Sequence, residues 1–305
     1  MDFDQVRLGL SENVVCVPTT IWRTPGELDL DANAANAEYL FGHGITAAVY
    51  AGGVGEHDRF SVEQLRELLS VAINVAVASG KELFVGSGLG RTVERAKDFV
   101  PMLGKLGISY AMLMPPPIDG PDEQYAYYSA VMRMLNDHGV WPMLYLRPEH
   151  PMAADTVERL FDEFQIPAVK LANSNLLPQY AAVISRLGHE RSAWLCGNAG
   201  WWLPAYYAVD AARGMSSGIA NAFPEHELAF LQSVLQGRFQ LDKGYWIMVR
   251  LEEIRREAPG YTSLVVKYMQ ELVGLRGGMN GDGAQLPAAV KSKVEQLVRQ
   301  AGWLS

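Results

Sequence analysis

The chain has 305 residues, a formal net charge of −8, and 49% hydrophobic against 20% charged residues. That balance supplies a large core and excludes a disordered or fibrous chain, and the acidic excess speaks against a nucleic-acid partner or an anionic membrane surface. No apolar run reaches the roughly 18 residues of a membrane span, the N-terminus lacks a secretory signal, and Cys16 and Cys196 alone cannot build a disulfide scaffold, so a cytoplasmic protein is expected.

Taken in chain order, short apolar or β-branched runs ending in Gly, Pro, Asn or Thr predict strands over Val14–Thr20, Ile45–Ala51, Glu82–Gly88, Ser109–Pro115, Pro142–Pro148, Pro167–Ala172, Ala193–Asn198 and Met215–Asn221. Segments with helical spacing lie between them. In Ser61–Ala78, Leu65, Leu68, Leu69, Ala72 and Ile73 form one apolar stripe, and Ser61 with Gln64 makes a capping box. Thr92–Leu106, Asp122–His138, Asp155–Phe164, Leu177–Leu187 and Leu203–Arg213 read the same way. Eight strands alternating with helices predict a (β/α)8 TIM barrel over residues 1–224 rather than an open doubly wound sheet. From Glu225 the pattern is helical only: Glu225–Gln236, Lys243–Arg256, Tyr261–Leu275 and Pro287–Ala301, with a glycine-rich turn or loop at Gly277–Gly283. Residues 225–305 are therefore expected to form a C-terminal helical extension packed on the barrel, since no linker sets them apart.

One charged residue falls where charge is costly. In Pro167-Ala168-Val169-Lys170-Leu171-Ala172 the two-residue period puts Val169 and Leu171 on one face and Lys170 on the other. If the bulky face packs under the helices, Lys170 points into the lumen, where lost hydration lowers its pKa and frees a neutral amine for attack on a carbonyl. A lysine snorkelling from a strand end is the competing reading. On the preceding strand Tyr145 and Arg147 share a face. A phenol there can shuttle protons and a guanidinium can clamp a carboxylate, although a core tyrosine and a solvated arginine would show the same pattern. Gly52-Gly53-Val54-Gly55-Glu56 follows the second strand, at the end where barrel active sites assemble. Its backbone N–H groups could hold a small anion, or it could be a structural turn.

Three other readings lack the residues they need. Gly86-Ser87-Gly88-Leu89-Gly90 suggests a dinucleotide loop, but Arg91 stands where the third glycine of that fingerprint belongs. The six histidines are scattered, so no metal and no cofactor is expected. Cys196 follows Trp194 and Leu195, an apolar setting that favours an inert thiol.

In combination, the glycine-rich Gly52–Glu56 loop, Tyr145-Leu146-Arg147-Pro148 and Lys170 resemble the dihydrodipicolinate synthase / N-acetylneuraminate lyase family. The likeness extends to Pro18-Thr19, Gly86-Ser87-Gly88, Gly197, Gly218–Asn221 and the helical tail. It implies a class I lyase acting on a 2-oxo acid (pyruvate or a sugar-derived acid) without a cofactor, in a homotetramer built as a dimer of dimers. Lys170 would be the Schiff-base lysine and Tyr145 its general acid/base. Gly53, Val54, Arg147, His150, Gly197 and Ile219 would bind substrate. The hydroxyl residues usual inside the loop are replaced by Gly53 and Val54, and the usual Pro-Tyr-Tyr after the fourth strand by Pro115-Pro116-Pro117. The loop and Tyr145-Leu146-Arg147 are similar to the 5-dehydro-4-deoxyglucarate dehydratase branch, in which Arg147 would be a second carboxylate clamp. A non-catalytic relative that only binds a small carboxylate is the alternative.

Overall fold

Eight parallel strands close on themselves in chain order, β8 returning to pair with β1. They are β1 (Val14–Cys16), β2 (Ala47–Tyr50), β3 (Phe84–Leu89), β4 (Tyr110–Leu113), β5 (Trp141–Leu146), β6 (Ala168–Leu171), β7 (Ala193–Cys196) and β8 (Gly214–Ser217). The structure is a computed structural model that describes residues 1–198 and 200–304. Its helices are α1 (Phe3–Leu10), α2 (Leu30–Gly42), α3 (Val62–Ala78), α4 (Val93–Lys105), α5 (Pro121–Asp137), α6 (Ala154–Glu163), α7 (Leu177–Leu187), α8 (Leu203–Ala208), α9 (Pro224–Leu235), α10 (Lys243–Arg256), α11 (Tyr261–Leu272) and α12 (Ala288–Ala301). This is a TIM barrel with a helical C-terminal extension. Among the described residues no helix is long and apolar enough to cross a membrane.

The two-residue period of the strands separates two cores. Outward residues such as Cys16, Leu144, Val169, Leu171 and Trp194 pack beneath the helices, while Val15, Val49, Met112, Met143, Tyr145 and Leu195 fill the lumen. Side chains that alternate across a pleat sort themselves this way whenever both faces of a sheet are covered. The capping box at α3 forms as its sequence requires: the Ser61 side chain accepts from the Gln64 N–H, and the Gln64 side chain accepts from the Ser61 N–H, both at 3.1 Å.

Several elements depart from the sequence-based expectation. Helix α1, capped by Asp2 with Gln5, puts Val6 and Leu10 into the lumen cluster and stops one end of the barrel. Helix α2 and a small hairpin, Trp22–Thr24 with Glu27–Leu28, lie between β1 and β2, where no element was predicted. The predicted helix Leu203–Arg213 ends at Ala208, and the end of the predicted strand Met215–Asn221 is a 3-10 turn at Ile219–Asn221. The Gly86–Gly90 glycines serve packing and not a nucleotide: Gly86 and Gly88 lie inside β3, and a Cβ on Gly88 would stand 2.0 Å from the Ala51 carbonyl oxygen. Helix α9, expected in the extension, packs on β1 and β8 as the last helix of the ring. We therefore place the boundary after α9. Helix α10 then packs on α11, on α12 and on the Gly200–Trp202 turn that follows β7.

Candidate active site

The strand register sets the central pair. Tyr145 on β5 is the direct neighbour of Lys170 on β6, and Leu195 flanks Lys170 from β7. Lys170 is only 6% exposed, and its Nζ lies 4.4 Å from the centroid of the Tyr145 ring. Burial pushes the Lys170 amine below the usual lysine range, the Tyr145 phenol opposes that shift, and the positive fields of Arg147 and Arg255 reinforce it. A surface lysine on a strand end would show none of this.

Lys170, Tyr145, Arg147, Gly53, Val54 and Gly197 all line one cavity of about 470 Å³ at the mouth of the barrel. Gly197 has a steric reason to be there. A Cβ on Gly197 would stand 2.7 Å from Lys170 Cγ, so the bare backbone of the β7 end makes room for the lysine stem. In the Gly52–Glu56 loop no acceptor among the described residues meets the N–H of Gly53 or Val54, which leaves both donors for an anion. The loop is anchored by Glu56. Its carboxylate receives the Lys267 ammonium at 2.6 Å, the Trp22 indole N–H at 3.0 Å and the Gly281 N–H at 2.8 Å.

Three expectations are modified. Arg147 does reach the cavity, but it is paired with Glu149, its Nε donating at 2.9 Å, so it is not a free clamp. His150 is absent from the cavity wall. The chain has turned away from the β5 end by that point, and His150 Nδ1 lies 3.0 Å from Asp119 Oδ1. Ile219 is also absent from the wall. Its side chain is fully buried in the apolar cluster beneath the extension, with Val17, Val54 and Leu251.

The structure adds residues that the sequence reading missed. Asn173, just after β6, and Trp201 line the same cavity, and Asn173 Oδ1 and Trp201 Nε1 are buried without a hydrogen-bond partner. From the extension, Glu252 and Arg255 reach the wall as an ion pair, and Arg256 lies over the Trp201 ring at 5.4 Å. Behind them Glu227 is 2% exposed and hydrogen-bonded to Ser217. Burial pushes its carboxyl up to about 7, with Glu252 adding to the rise and Ser217 and Arg255 opposing it. Cys196 is buried and its thiol is pushed up to about 12 by burial, which removes it as a nucleophile.

The raised carboxyl gives a stability prediction. Folded Glu227 holds its proton up to about pH 7 and the unfolded chain only to about 4.5, so the folded state binds the extra proton between those values. Stability to urea is therefore expected to fall as pH rises from 4.5 to 7. Glu227→Gln should flatten that fall and gain on the order of 3 kcal/mol at pH 8. A wild-type profile with no slope in this window would refute the assignment.

A buried lysine beside a tyrosine at the mouth of a closed (β/α)8 barrel, next to a glycine-rich loop, fits a barrel lyase. The sequence profile of the Dihydrodipicolinate synthetase family matches residues 10–297. The chain belongs to that family. It is 26% identical over 262 residues to the probable 5-dehydro-4-deoxyglucarate dehydratase of Bacillus subtilis (strain 168), covering 85% of this chain and 83% of that one. It is 24% identical over 311 residues to the 5-dehydro-4-deoxyglucarate dehydratase of Pseudomonas putida, covering 97% of each. The crystal structure of dihydrodipicolinate synthase from Oceanobacillus iheyensis superposes with a TM-score of 0.87 at 20% identity and 99% coverage of both chains, which shows the shared fold.

Proposed function

We propose that this protein is a lyase of a sugar-derived 2-oxo acid that works through an imine on Lys170. The observation that carries the reading is the Lys170 amine itself, buried in the lumen, depressed in pKa and in register with Tyr145. The neutral amine attacks the ketone carbon. Tyr145 gives a proton to the carbinolamine oxygen, which leaves as water, and the iminium forms. The N–H groups of Gly53 and Val54 hold the adjoining carboxylate. The iminium makes the C3 proton acidic, and its loss gives an enamine. The enamine can expel a C4 hydroxyl, protonated as it departs; alternatively, the iminium itself accepts the C3–C4 bonding electrons while the C4 hydroxyl loses its proton, releasing an aldehyde and leaving the enamine. The dehydratase names of the relatives favour loss of water. The homotetramer implied by the family resemblance and a cytoplasmic setting belong to the same reading; sedimentation velocity tests the first.

Sodium borohydride added with pyruvate is expected to fix a reduced adduct on Lys170, read as a mass increase on its peptide. No adduct with pyruvate or with any of a panel of sugar-derived 2-oxo acids would favour a barrel that only binds carboxylates. Tyr145→Phe is expected to slow adduct formation by about 10²–10⁴-fold and to leave the half-saturating pyruvate concentration near its wild-type value. An unchanged rate would remove Tyr145 from the scheme.

A further inference from the structure

The anion loop is short of charge and hydroxyls: Gly53 and Val54 offer only backbone donors, and Arg147 is occupied by Glu149. A guanidinium stands beside that loop. Arg255 comes from α10, outside the barrel, yet its side chain is only 7% exposed and borders the cavity together with Lys170, Gly53, Val54 and Gly218. Its Nη1 pairs with Glu252 and its Nε donates to the Thr262 carbonyl at 3.2 Å. Among the described residues no acceptor meets Nη2. A Cβ on Gly218 would stand 2.8 Å from that Nη2 and 3.4 Å from Val54 Cγ1, so the unused donor sits in the corner between Gly218 and Val54. The missing side chain at Gly218 is what admits it. Its field also reaches the Lys170 amine, which lines the same cavity.

We propose that Arg255 binds the substrate carboxylate next to the ketone, Nη2 and the Gly53 and Val54 N–H groups gripping it together, so that the C-terminal extension completes the site. Glu252 is a positioning residue: it fixes the guanidinium plane and balances its charge. The arrangement selects 2-oxo acids over neutral ketones and aldehydes, because only a carboxylate uses the free edge of the fork. This inference rests on the imine reading for its substrate but not for its anion site.

Removing Arg255 alone would strand a buried carboxylate, so the test uses the double variant Glu252→Gln/Arg255→Met beside Arg255→Lys. Borohydride trapping on Lys170 is run with pyruvate and with acetone, which has the ketone without the carboxylate. In the double variant the half-saturating pyruvate concentration is expected to rise on the order of 10²-fold with the half-saturating acetone concentration unchanged; the maximal trapping rate falls alike for both ketones, because the Arg255 field no longer depresses the Lys170 amine. Arg255→Lys, which keeps the charge, should recover part of the loss. An unchanged half-saturation for pyruvate overturns the proposal, and so does an equal rise in half-saturation with both ketones, which would make Arg255 a structural brace. If the wild type traps neither ketone, the imine reading fails by itself. Calorimetric titration with pyruvate then decides: binding lost in the double variant upholds the carboxylate site, and unchanged or absent wild-type binding overturns it.

Discussion

Lys170→Met is expected to abolish turnover, lowering it on the order of 10⁴-fold or more because the covalent route is closed, and to abolish the borohydride adduct with it. The fold should survive. Methionine fills nearly the same space in the lumen, and among the described residues Lys170 makes no ion pair that the substitution would break. The stability effect has a definite sign. Burial lowers the folded-state pKa of Lys170, so below the unfolded value near 10.4 the unfolded chain binds the proton more readily than the folded one. The folded state bears that cost throughout the neutral range. Lys170→Met should therefore melt above the wild type at pH 7, and the difference should shrink as pH rises toward the unfolded value near 10.4 and vanish above it, where the amine is neutral in both states. A variant that is both inactive and more stable would identify Lys170 as a group kept for chemistry at the expense of stability. Full turnover in the variant, or a melting temperature below wild type at pH 7, would overturn the assignment.

The parts of this site that were legible in the sequence are those governed by short periods. The two-residue alternation in Pro167–Ala172 and in Pro142–Pro148 aims Lys170 and Tyr145 into the lumen, and both strands form with that register. What the sequence concealed depends on tertiary contacts. Helix α2 buries Asn33 and Asn36 along with Ala32, Ala37 and Leu40, so its inner face does not read as an apolar stripe. Asn33 is placed there to cap the backbone of Ile21, accepting from its N–H at 3.0 Å and donating to its carbonyl at 2.9 Å. Helix α1 is one short amphipathic turn after another, and its partner is a barrel end that exists only once the strands have closed. The charged residues of the extension did leave a trace. Met248, Leu251, Glu252 and Arg255 fall at the spacing of one buried helical face, and so do Ser263, Val266, Lys267 and Gln270. Charges inside an apolar stripe mark either a buried pair or a site, and in α10 the pair does lie on the cavity wall.

The pair in α11 carries the second large prediction. Lys267 is completely buried, and its ammonium donates to Glu56 at 2.6 Å, to the Met279 carbonyl at 2.6 Å and to Asn280 Oδ1 at 3.2 Å, which uses all three of its protons. Glu56 in turn sits in the left-handed region at φ 60°, an unfavourable place for a residue with a side chain. It is held there by Lys267, Trp22, Gly281 and an ion pair with Arg59 at 3.0 Å. Lys267→Met leaves a buried carboxylate short of its main counter-charge and the Met279 carbonyl without its donor, while Asn280 Oδ1 keeps the Ser263 hydroxyl at 2.9 Å, so a loss of about 3–5 kcal/mol in urea denaturation is expected. Glu56→Gln/Lys267→Met should recover part of that loss, because no buried charge is then left unpaired. Since Glu56 ends the loop that presents the Gly53 and Val54 N–H groups, the single variant should also need more pyruvate for half-saturation of trapping on Lys170. Lys170 lies on a different element, so the maximal trapping rate should change little. A single variant within 1 kcal/mol of wild type would show that the pair adds nothing to the fold, and an unchanged half-saturation would show that the loop is held by other contacts.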